Sequence, residues 1–391
     1  MNEKKKMQPK VRFREFTGEN ASDWEQRKLG EMSSFSKGSG YTKNDLTSSG
    51  TPIVLYGRLY TDYHTVIRHI NTLVRLKEGS VISEGGEVII PASGETALDI
   101  ARASVVEKSG VIIGGDLNIV KVNKEIIPSF LAIMISNGSR QKELAKKAQG
   151  KSIVHIHNSD LKLIEIIYPT VNEQEKIWEF FNTLDKLITL HQRKLEQLEQ
   201  LKNTLLSKMF PKSGTNIPEI RFSGFTDAWK QRKLGDITNS MSIKAYISEI
   251  FEEGRYPVIQ QGDNPIAGYA DGNPFESYKD ITLFGDHTLS LFKPDKEFFI
   301  ASDGIKILSP SISMDGVFYY YLLEKYKPKS EGYKRHFTIL KKRKAKFPNY
   351  IEEEIKIGKI LSGTDSLIIK YQYKIKKLKN MKQTLLNKMF I

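Results

Sequence analysis

The sequence predicts an α+β protein: two mixed α/β domains separated by two long helices that pack as an antiparallel coiled-coil pair, with an internal pseudo-twofold duplication. Three observations predict this fold. A short tryptophan-containing segment occurs twice, and so does a long segment with helical apolar spacing. The stretches between these repeats differ in sequence. A repeated scaffold around unlike inserts indicates one architecture that presents two different binding surfaces.

The first repeat, here called the opener, begins each half of the chain. Residues 24–31 read WEQRKLGE, and residues 229–236 read WKQRKLGD. Upstream, PKVRF at 9–13 corresponds to PEIRF at 218–222. We assign the openers to residues 9–32 and 218–237.

The second repeat closes each half, and its pattern predicts a long helix. From Asn172 onward, apolar residues recur at spacings of three and four. Residues 187–210 match residues 367–390 at 12 of 24 positions. Asn172 and Glu175 have the form of a capping box, and Pro211 is expected just beyond the helix end. About 38 residues at 1.5 Å each give a rod roughly 57 Å long.

Charge bias predicts that the two long helices pair with each other. Residues 370–391 carry seven lysines and no acid, whereas the first helix holds six acidic residues from Glu173 to Glu199. Packing of each helix on its own domain is the alternative. Gly358 and Gly363 predict a bend in the first turns of the second helix. The leucines expected in the spacer seam and at subunit-docking positions are Leu187, Leu195, Leu198, Leu205, Leu367, Leu378 and Leu385.

The two inserts have the pattern of mixed α/β domains. Residues 81–91 and 111–113 predict strands interrupted by glycine pairs, and 128–135 and 318–323 predict helices. A strand is expected at 161–167. The predicted boundaries are 1–168 for the first domain with its opener, 169–212 for the central helix, 213–347 for the second domain with its opener, and 348–391 for the C-terminal helix.

Composition narrows the class of protein. The chain has 391 residues, 39% of them hydrophobic, which is enough for two or three domains with real cores. Cysteine is absent, which excludes disulfide scaffolds and cysteine-ligated zinc. No apolar stretch is long enough to span a membrane, so we expect a cytoplasmic protein. The net charge of +14 is spread over both halves, and such a charge attracts nucleic acid, anionic membranes or acidic proteins. The sequence has no amphipathic anchor or lipidation signal, which favours nucleic acid as the partner.

Catalytic motifs are weak. Residues 145–152 read AKKAQGKS, which fits a relaxed phosphate-binding loop, but such a loop needs a strand before it and a helix after it. Asn273-Pro274-Phe275 lacks the second proline of the adenine methyltransferase signature. His155 and His157 share one face of a predicted strand, yet no carboxylate pattern accompanies them. We therefore expect a binding protein with no catalytic set, cofactor or metal of its own.

Polar and basic residues suited to DNA occur in corresponding regions of both inserts. Lysine and arginine neutralise phosphates, and arginine and glutamine can hydrogen-bond to base edges in the major groove. A solvated charged surface is the alternative for any one of them. The residues expected to contact DNA are Arg58, Tyr60, Thr61, Ser93, Glu95, Thr96, Lys147, Gln149, Lys151 and Ser152 in the first insert, and Gln260, Gln261, His287, Thr288, Lys334, Arg335 and His336 in the second.

This pattern resembles the DNA-specificity (S) subunits of type I restriction–modification enzymes, and the resemblance covers nearly the whole chain. Its markers are the openers at 24–30 and 229–235, the helix ends at 205–210 and 385–390, the stretch 169–185, and the segments 56–61 and 93–101, which resemble one recurrent class of target recognition domain. The second insert lacks the YGRLYT segment of residues 56–61 and should therefore read a different target.

The resemblance implies a non-catalytic bacterial subunit that reads a bipartite, asymmetric site in double-stranded DNA. Each recognition domain would read one half-site, and the paired helices would fix the gap. It also implies two modification subunits that carry S-adenosylmethionine and methylate adenine, and restriction subunits that use ATP and Mg²⁺. Two alternatives remain open at this point: a nuclease or methyltransferase that acts alone, and a coiled-coil interaction protein without DNA recognition.

Overall fold

The computed structural model describes residues 7–18, 21–150, 152–330, 332 and 334–390. The chain forms two compact units. The first runs through Leu190 and includes the chain again from Ile375, and the second is His191–Lys374. Each unit therefore contains one α/β domain and part of each long helix. In the described part of the chain, no helix is both long enough and apolar enough to cross a lipid bilayer.

The first unit combines short strands with short helices. Its strands are β1 Glu25–Lys28, β2 Ser33–Lys37, β3 Leu46–Thr47, β4 Thr51–Val54, β5 Val66–Ile67, β6 Leu73–Val74, β7 Glu87–Pro91, β8 Ser93–Gly94, β9 Ser104–Val106, β10 Ile112–Ile113, β11 Leu117–Val122, β12 Val154–His155 and β13 Glu165–Tyr168. Its helices are α1 Leu29–Met32, α2 Arg58–Thr61, α3 Ala97–Ile100, α4 Pro128–Ile135, α5 Gly138–Lys147 and α6 Asn158–Lys162, followed by the long α7 Val171–Lys208. Short 3-10 turns lie at Arg14–Phe16 and Lys43–Asp45.

The second unit repeats this plan with fewer elements. Its strands are β14 Lys230–Lys233, β15 Thr238–Ser240, β16 Tyr256–Ile259, β17 Ile266–Ala270, β18 Thr282–Gly285, β19 Leu291–Phe292, β20 Phe299–Ile300, β21 Ile305–Pro310 and β22 Lys344–Phe347. Its helices are α8 Gly316–Tyr326 and α9 Phe337–Lys342, followed by the long α10 Ile351–Met389. Short 3-10 turns lie at Leu234–Asp236 and Lys244–Tyr246.

The two α/β domains share a core of corresponding strands although their sequences differ. The first has sheets in the orders β2-β11-β7-β9-β5 and β10-β4-β6-β3, and the second has β15-β21-β18-β19 and β17-β16-β20. In both domains the central strand, β7 or β18, runs antiparallel to its neighbours. A parallel pair, β10·β4 or β20·β16, lies in the other sheet. Strand for strand, β4 therefore corresponds to β16, β7 to β18, and β11 to β21.

The opener repeat encodes the same local structure twice. Trp24 and Trp229 are buried, at 3% and 2% exposure. Trp24 packs edge-on against Phe130 and Trp229 against Phe318, each with ring centroids 6.2 Å apart. The polar residues that follow form β1 and β14, which pair antiparallel with β13 and β22. The tryptophan thus anchors the segment while its strand stays exposed.

The glycine of each opener allows a close approach. A Cβ at Gly30 would lie 3.0 Å from the Lys162 Cβ, and a Cβ at Gly235 would lie 3.1 Å from the Lys341 Cβ. Helix α6 or α9 therefore packs directly on the opener backbone, and a side chain at the glycine would force the neighbour to shift.

A buried ion pair joins each opener to the start of a long helix. Arg12 forms two hydrogen bonds of 2.7 Å to the Glu173 carboxylate, and Arg221 forms bonds of 2.7 and 2.9 Å to that of Glu353. Both glutamates are fully buried. Two-point arginine–carboxylate contacts satisfy both buried charges at once.

The last residue of each closing repeat fills a domain core. Phe390 lies 5.6 Å from the Phe130 ring and 6.2 Å from the Phe181 ring. Phe210 lies 5.7 Å from both Trp229 and Phe318. Core packing therefore accounts for the repeated LLxKMF sequence.

The two long helices run antiparallel within each unit, as predicted. In the first unit, Asp185 pairs with Lys382 at 2.6 Å, four residues after the contact of Phe181 with Phe390. In the second, the His191 ring lies 5.3 Å from that of Tyr371, and Lys202 pairs with Asp365 at 2.7 Å. The Asp185–Lys382 pair follows the predicted charge bias, whereas the Lys202–Asp365 pair has the lysine on the first helix and the acid on the second.

Some local predictions were wrong. Helix α7 begins at Val171, and the N–H groups of Glu173 and Gln174 donate to Thr170 O, so Asn172 lies inside the helix and is not its cap. The predicted strand 161–167 is the end of α6 followed by β13, and of residues 81–83 only Ile82 forms an isolated bridge. The bend predicted at Gly358 and Gly363 stays a prediction: helix α10 is continuous through both glycines, and a Cβ at Gly358 would lie 3.1 Å from Phe318 N.

Candidate nucleic-acid interface

Three predicted DNA-contacting segments of the first unit meet beside the connection from β7 to β9. The Tyr60 hydroxyl donates a 2.7 Å hydrogen bond to Ser93 O. Strand β12 pairs with β8, which places His155 opposite Ser93. Gln149 then exchanges two backbone hydrogen bonds with His155, of 3.1 and 2.8 Å. Tyr60, Ser93 and Gln149 therefore lie in one cluster, although they come from distant parts of the sequence.

Gly94 makes this convergence sterically possible. A Cβ there would lie 2.9 Å from the Tyr60 hydroxyl and 3.2 Å from the Ile100 Cβ. Burial first, and then the charge of Asp99, raises the pKa of Tyr60 above its ordinary value. The phenol stays neutral at physiological pH and serves as a donor to the backbone.

The exposed rim of this cluster carries polar side chains. Glu95 and Thr96 are exposed, and the Thr96 hydroxyl caps α3 by accepting from Asp99 N at 3.1 Å. Gln149 and Ser152 are also exposed, whereas Lys147 is half-buried. Lys151 lies outside the described residues.

Arg58 and Thr61 serve the fold of their own segment. The Arg58 guanidinium donates to His69 O at 2.7 Å and pairs with Asp62 at 3.2 Å, with 17% of the side chain exposed. The Thr61 hydroxyl donates to Gly57 O at 3.1 Å. The structure thus uses Arg58 to hold the α2 segment, leaving little of the guanidinium on the surface.

The second unit brings its predicted segments together in the same way. The Gln261 side-chain oxygen accepts from His287 N at 3.2 Å. The Gly262 N–H donates to the Ser290 hydroxyl at 2.9 Å, and that hydroxyl lies 2.8 Å from the Thr288 hydroxyl. Gln260 bonds within its own turn, donating to Asn264 O at 2.9 Å. Thr288 is exposed, and Gln261 is half-buried.

The basic segment of the second unit joins this cluster through a buried histidine. His336 N donates to Asp286 O at 2.8 Å, and His336 is fully buried. Lys334 and Arg335, just before it, are exposed. His336 therefore holds the segment in place from the interior and has no exposed surface for DNA.

The clusters occupy the same topological position in both units. In the first domain, one segment follows β4, one connects β7 to β9, and one lies between α4 and α6. In the second domain, the corresponding segments follow β16, connect β18 to β19, and lie between α8 and α9. The fold brings the three segments of each domain to one place, although they are distant in the sequence. We call each set of segments a three-segment cluster. The segments contain Tyr60, Ser93 and Gln149 in the first domain, and Gln261, Thr288 and Arg335 in the second.

The phosphate-binding loop pattern and the two neighbouring histidines have no matching site in the described residues. Helix α5 precedes residues 148–151 and strand β12 follows them, the reverse of the order that a phosphate-binding loop requires. Both His155 and His157 are exposed. Within the described ranges, no group of three His, Asp or Glu side chains is arranged to hold a metal ion.

Ser290 and Ala92 were not among the predicted site residues. Ser290 joins two segments through its hydroxyl. Its place in the sequence, two positions after Thr288 in a short turn between strands, could have indicated that it belongs to the site. Ala92 acts through its backbone alone, and no side-chain pattern could have revealed it.

Comparisons with known proteins identify a sequence family and similar folds. A family model described as the type I restriction modification DNA specificity domain matches residues 21–200 and 226–380. The crystal structure of a type I restriction-modification S subunit from M. genitalium is similar over 98% of this chain and 99% of that chain, with a TM-score of 0.69 and 19% identity. A structure from a study of complex assembly and conformational transition of the type I R-M system covers 94% of this chain and 97% of that chain, with a TM-score of 0.51 and 18% identity.

No curated protein matches the chain significantly. At these identities the solved structures establish a shared fold. The family model covers most of the sequence and matches once in each half. The chain therefore belongs to the type I restriction-modification DNA specificity family.

Proposed function

We propose that this chain reads a bipartite, asymmetric site in double-stranded DNA, with one half-site read by each α/β domain. The observation that carries the proposal is the pair of three-segment clusters, which occupy one topological position in two domains of unlike sequence. A shared frame with different side chains is the arrangement needed to present two different sets of hydrogen-bonding groups to DNA.

The exposed side chains of the clusters suit base edges and phosphates. The first cluster offers Glu95, Thr96 and Gln149, and the second offers Thr288, Lys334 and Arg335. Carboxylates accept from cytosine, glutamine bonds to adenine in two-point fashion, and arginine does the same to guanine. Since the two sets differ in charge and type, the two half-sites should differ in sequence.

The long helices are proposed to set the gap between the half-sites. Helices α7 and α10 are each uninterrupted and pair antiparallel in both units. Thirty-eight residues of α7 at 1.5 Å per residue correspond to about 57 Å. A continuous helix transmits a fixed length where a flexible linker would not.

The same helices are proposed to dock two modification subunits. Leu187 and Leu367 hold equivalent positions and are 37% and 44% exposed, and Leu201 and Met381 are likewise equivalent, at 46% and 40%. Apolar side chains exposed at matched positions offer two similar contact surfaces for two copies of one partner. Leu198 is buried, and Leu195, Leu205, Leu378 and Leu385 are half-buried, which supports a packed seam at these positions.

In this proposal the chain supplies specificity and its partners supply chemistry. S-adenosylmethionine and adenine methylation belong to the modification subunits, and ATP, Mg²⁺ and cleavage belong to the restriction subunits. The complex would act in the bacterial cytoplasm, where its DNA is.

Methylome sequencing of bacteria that express the chain with its cognate modification subunit tests the proposal. A strain without the chain and a strain with Lys334 and Arg335 changed to serine are compared. We expect a two-part methylated adenine motif that disappears without the chain and that loses occupancy or specificity in one half only in the double variant. If the subunits assemble and methylate DNA without any chain-dependent motif, the chain is a scaffold protein without DNA recognition.

A further inference from the structure

Ala92 and Asp286 hold the same position in the two α/β domains, directly after the central strands β7 and β18. Ala92 N donates to Asp116 O at 2.7 Å, and Ala92 O accepts from Ile156 N at 3.0 Å. Asp286 N donates to Gly304 O at 2.8 Å, and Asp286 O accepts from His336 N at 2.8 Å. One residue in each domain thus fastens two other segments to the end of the central strand.

The segments fastened at this point belong to the three-segment cluster or border it. The acceptors Asp116 and Gly304 lie in the turns that lead into β11 and β21. The donors Ile156 and His336 lie just ahead of α6 and α9, where the third segment ends. Because the residue also begins the connection from the central strand, its two backbone hydrogen bonds set the spacing between cluster segments.

In the second domain, the side chain of the fastening residue itself also takes part. The Asp286 carboxylate accepts from Phe337 N at 2.7 Å and lies 3.9 Å from the Lys306 ammonium. Asp286 is 3% exposed, and a buried carboxylate requires such partners. The carboxylate therefore joins the β18–β19 turn to the first residue of α9.

The first domain satisfies the equivalent helix start locally. His157 N donates to the Asp160 carboxylate at 2.9 Å, and Asp160 belongs to α6 itself. In the first domain, the group that caps α6 is therefore separate from the connection that follows β7. In the second domain, the Asp286 carboxylate binds the start of α9 and Asp286 itself belongs to the β18–β19 turn, so a change at Asp286 affects both.

We infer that Asp286 is a positioning residue for DNA recognition by the second domain, holding the Thr288 turn and the Lys334–Arg335 segment in a common frame. The inference rests on the proposed function. Thr288 is two residues beyond Asp286, and Arg335 is two residues before Phe337, whose N–H the carboxylate binds. Hydrogen bonds to base edges depend on placement within about half an ångström, so loosening this joint degrades readout of one half-site.

Binding measurements on the complex with modification subunits test the inference. Three DNA duplexes are used: the methylome-derived site, the site with its first half altered, and the site with its second half altered. The discrimination ratio is the Kd for an altered duplex divided by the Kd for the intact site. The chain is compared as wild type, Asp286→Ala, Asp286→Asn and Asp303→Ala.

For Asp286→Ala we expect the ratio for the second domain's half-site to fall about tenfold, which corresponds to about 1.4 kcal/mol of discrimination, because the Thr288 turn loses its side-chain link to the start of α9. The ratio for the other half-site should not change. Asp286→Asn keeps a side-chain oxygen that can accept from Phe337 N, and its ratio should lie between those of wild type and alanine. Asp303→Ala removes the same charge from an exposed position in the adjacent turn and should preserve both ratios.

Each result bears on the inference. A selective loss at one half-site, with partial rescue by asparagine, supports it. Unchanged ratios in Asp286→Ala, or an equal loss at both half-sites, overturn it, since the latter indicates a general loss of structure. If alanine prevents assembly, asparagine alone decides through the same two ratios. A wild-type complex that distinguishes neither altered duplex would overturn the proposed function and this inference with it.

Discussion

Gln174 and Glu354 occupy the same position in the two long helices, but only one of them can ionise. Gln174 accepts from Ile127 N at 2.8 Å, and Glu354 accepts from Asp315 N at 2.9 Å, in each case at the start of a helix of the α/β domain. Gln174 also donates to Glu125 O and Pro169 O. Burial, followed by the charges of Asp315 and Glu353, raises the pKa of Glu354 from 4.5 to about 7. A protonated Glu354 can reproduce the neutral donor and acceptor pattern of the glutamine.

Glu354→Gln should remove a pH dependence of stability. Because the folded pKa is raised, the stabilisation by the neutral form is complete below about pH 4.5 and is lost as pH rises through about 7. Glutamine has no proton to lose. We expect the variant to match the wild type near pH 5 and to exceed it by about 2 kcal/mol at pH 8. Thermal unfolding from pH 5 to 8 measures the difference.

The reverse change provides the control. Gln174→Glu places a carboxyl in the matching buried position of the first unit and should introduce a loss of stability with rising pH. Parallel pH profiles for wild type and Glu354→Gln would contradict this account.

At the level of single residues, the sequence predicted the features that repeat because of packing in the core. The openers repeat because Trp24 and Trp229 fill cores and because Gly30 and Gly235 admit a helix at close range. Some residues predicted to contact DNA are buried or half-buried, and the neighbouring sequence does not indicate their burial. His336 ends a basic run typical of an exposed surface, but its N–H bonds to a residue 50 positions earlier in the chain.

At the level of elements, the long helices were predictable and many strands were not. Apolar spacing persists over dozens of residues in α7 and α10, and this signal needs no distant partner. Strands of two residues, such as β8 and β12, carry no periodicity of their own. They exist because β8 pairs with β12 across about 60 positions of sequence, and only the folded domain supplies that partner.

A length change in the helices tests their role as a spacer. Four residues are inserted after Gln192 in α7 and four after Gln372 in α10, near the His191–Tyr371 contact, so that both members of the pair lengthen together. Four residues add about 6 Å of helix, which corresponds to about two base pairs of DNA. We expect the methylated motif to keep both half-sites and to gain a gap longer by about two base pairs.

An insertion outside the helices is the matched control. Four residues placed after Gly214, in an exposed link with positive φ, lengthen the chain without lengthening either helix. This variant should leave the gap unchanged. An altered half-site with an unaltered gap in the helix variant would rule out the spacer role.

At the level of the whole molecule, duplication separates what is shared from what is specific. The buried arginine–glutamate pairs, the opener strands and the helix ends occur twice with the same partners. The three-segment clusters occur twice in the same place with different side chains. Specificity can therefore change in one domain without disturbing the scaffold, provided that the exchanged segment begins and ends where the opener strand meets its partner.

Exchange of one domain tests this separation. Residues 238–343 are replaced by the corresponding insert of another specificity subunit, keeping β14, β22 and both long helices, because β14 pairs with β22 in the scaffold. We expect a methylated motif with one new half-site, one retained half-site and the original gap. The reciprocal exchange, in the first domain between β1 and β13, should change the other half-site only. A motif that changes in both halves after a single exchange, in a complex that still assembles and methylates, would show that the two domains do not read DNA independently.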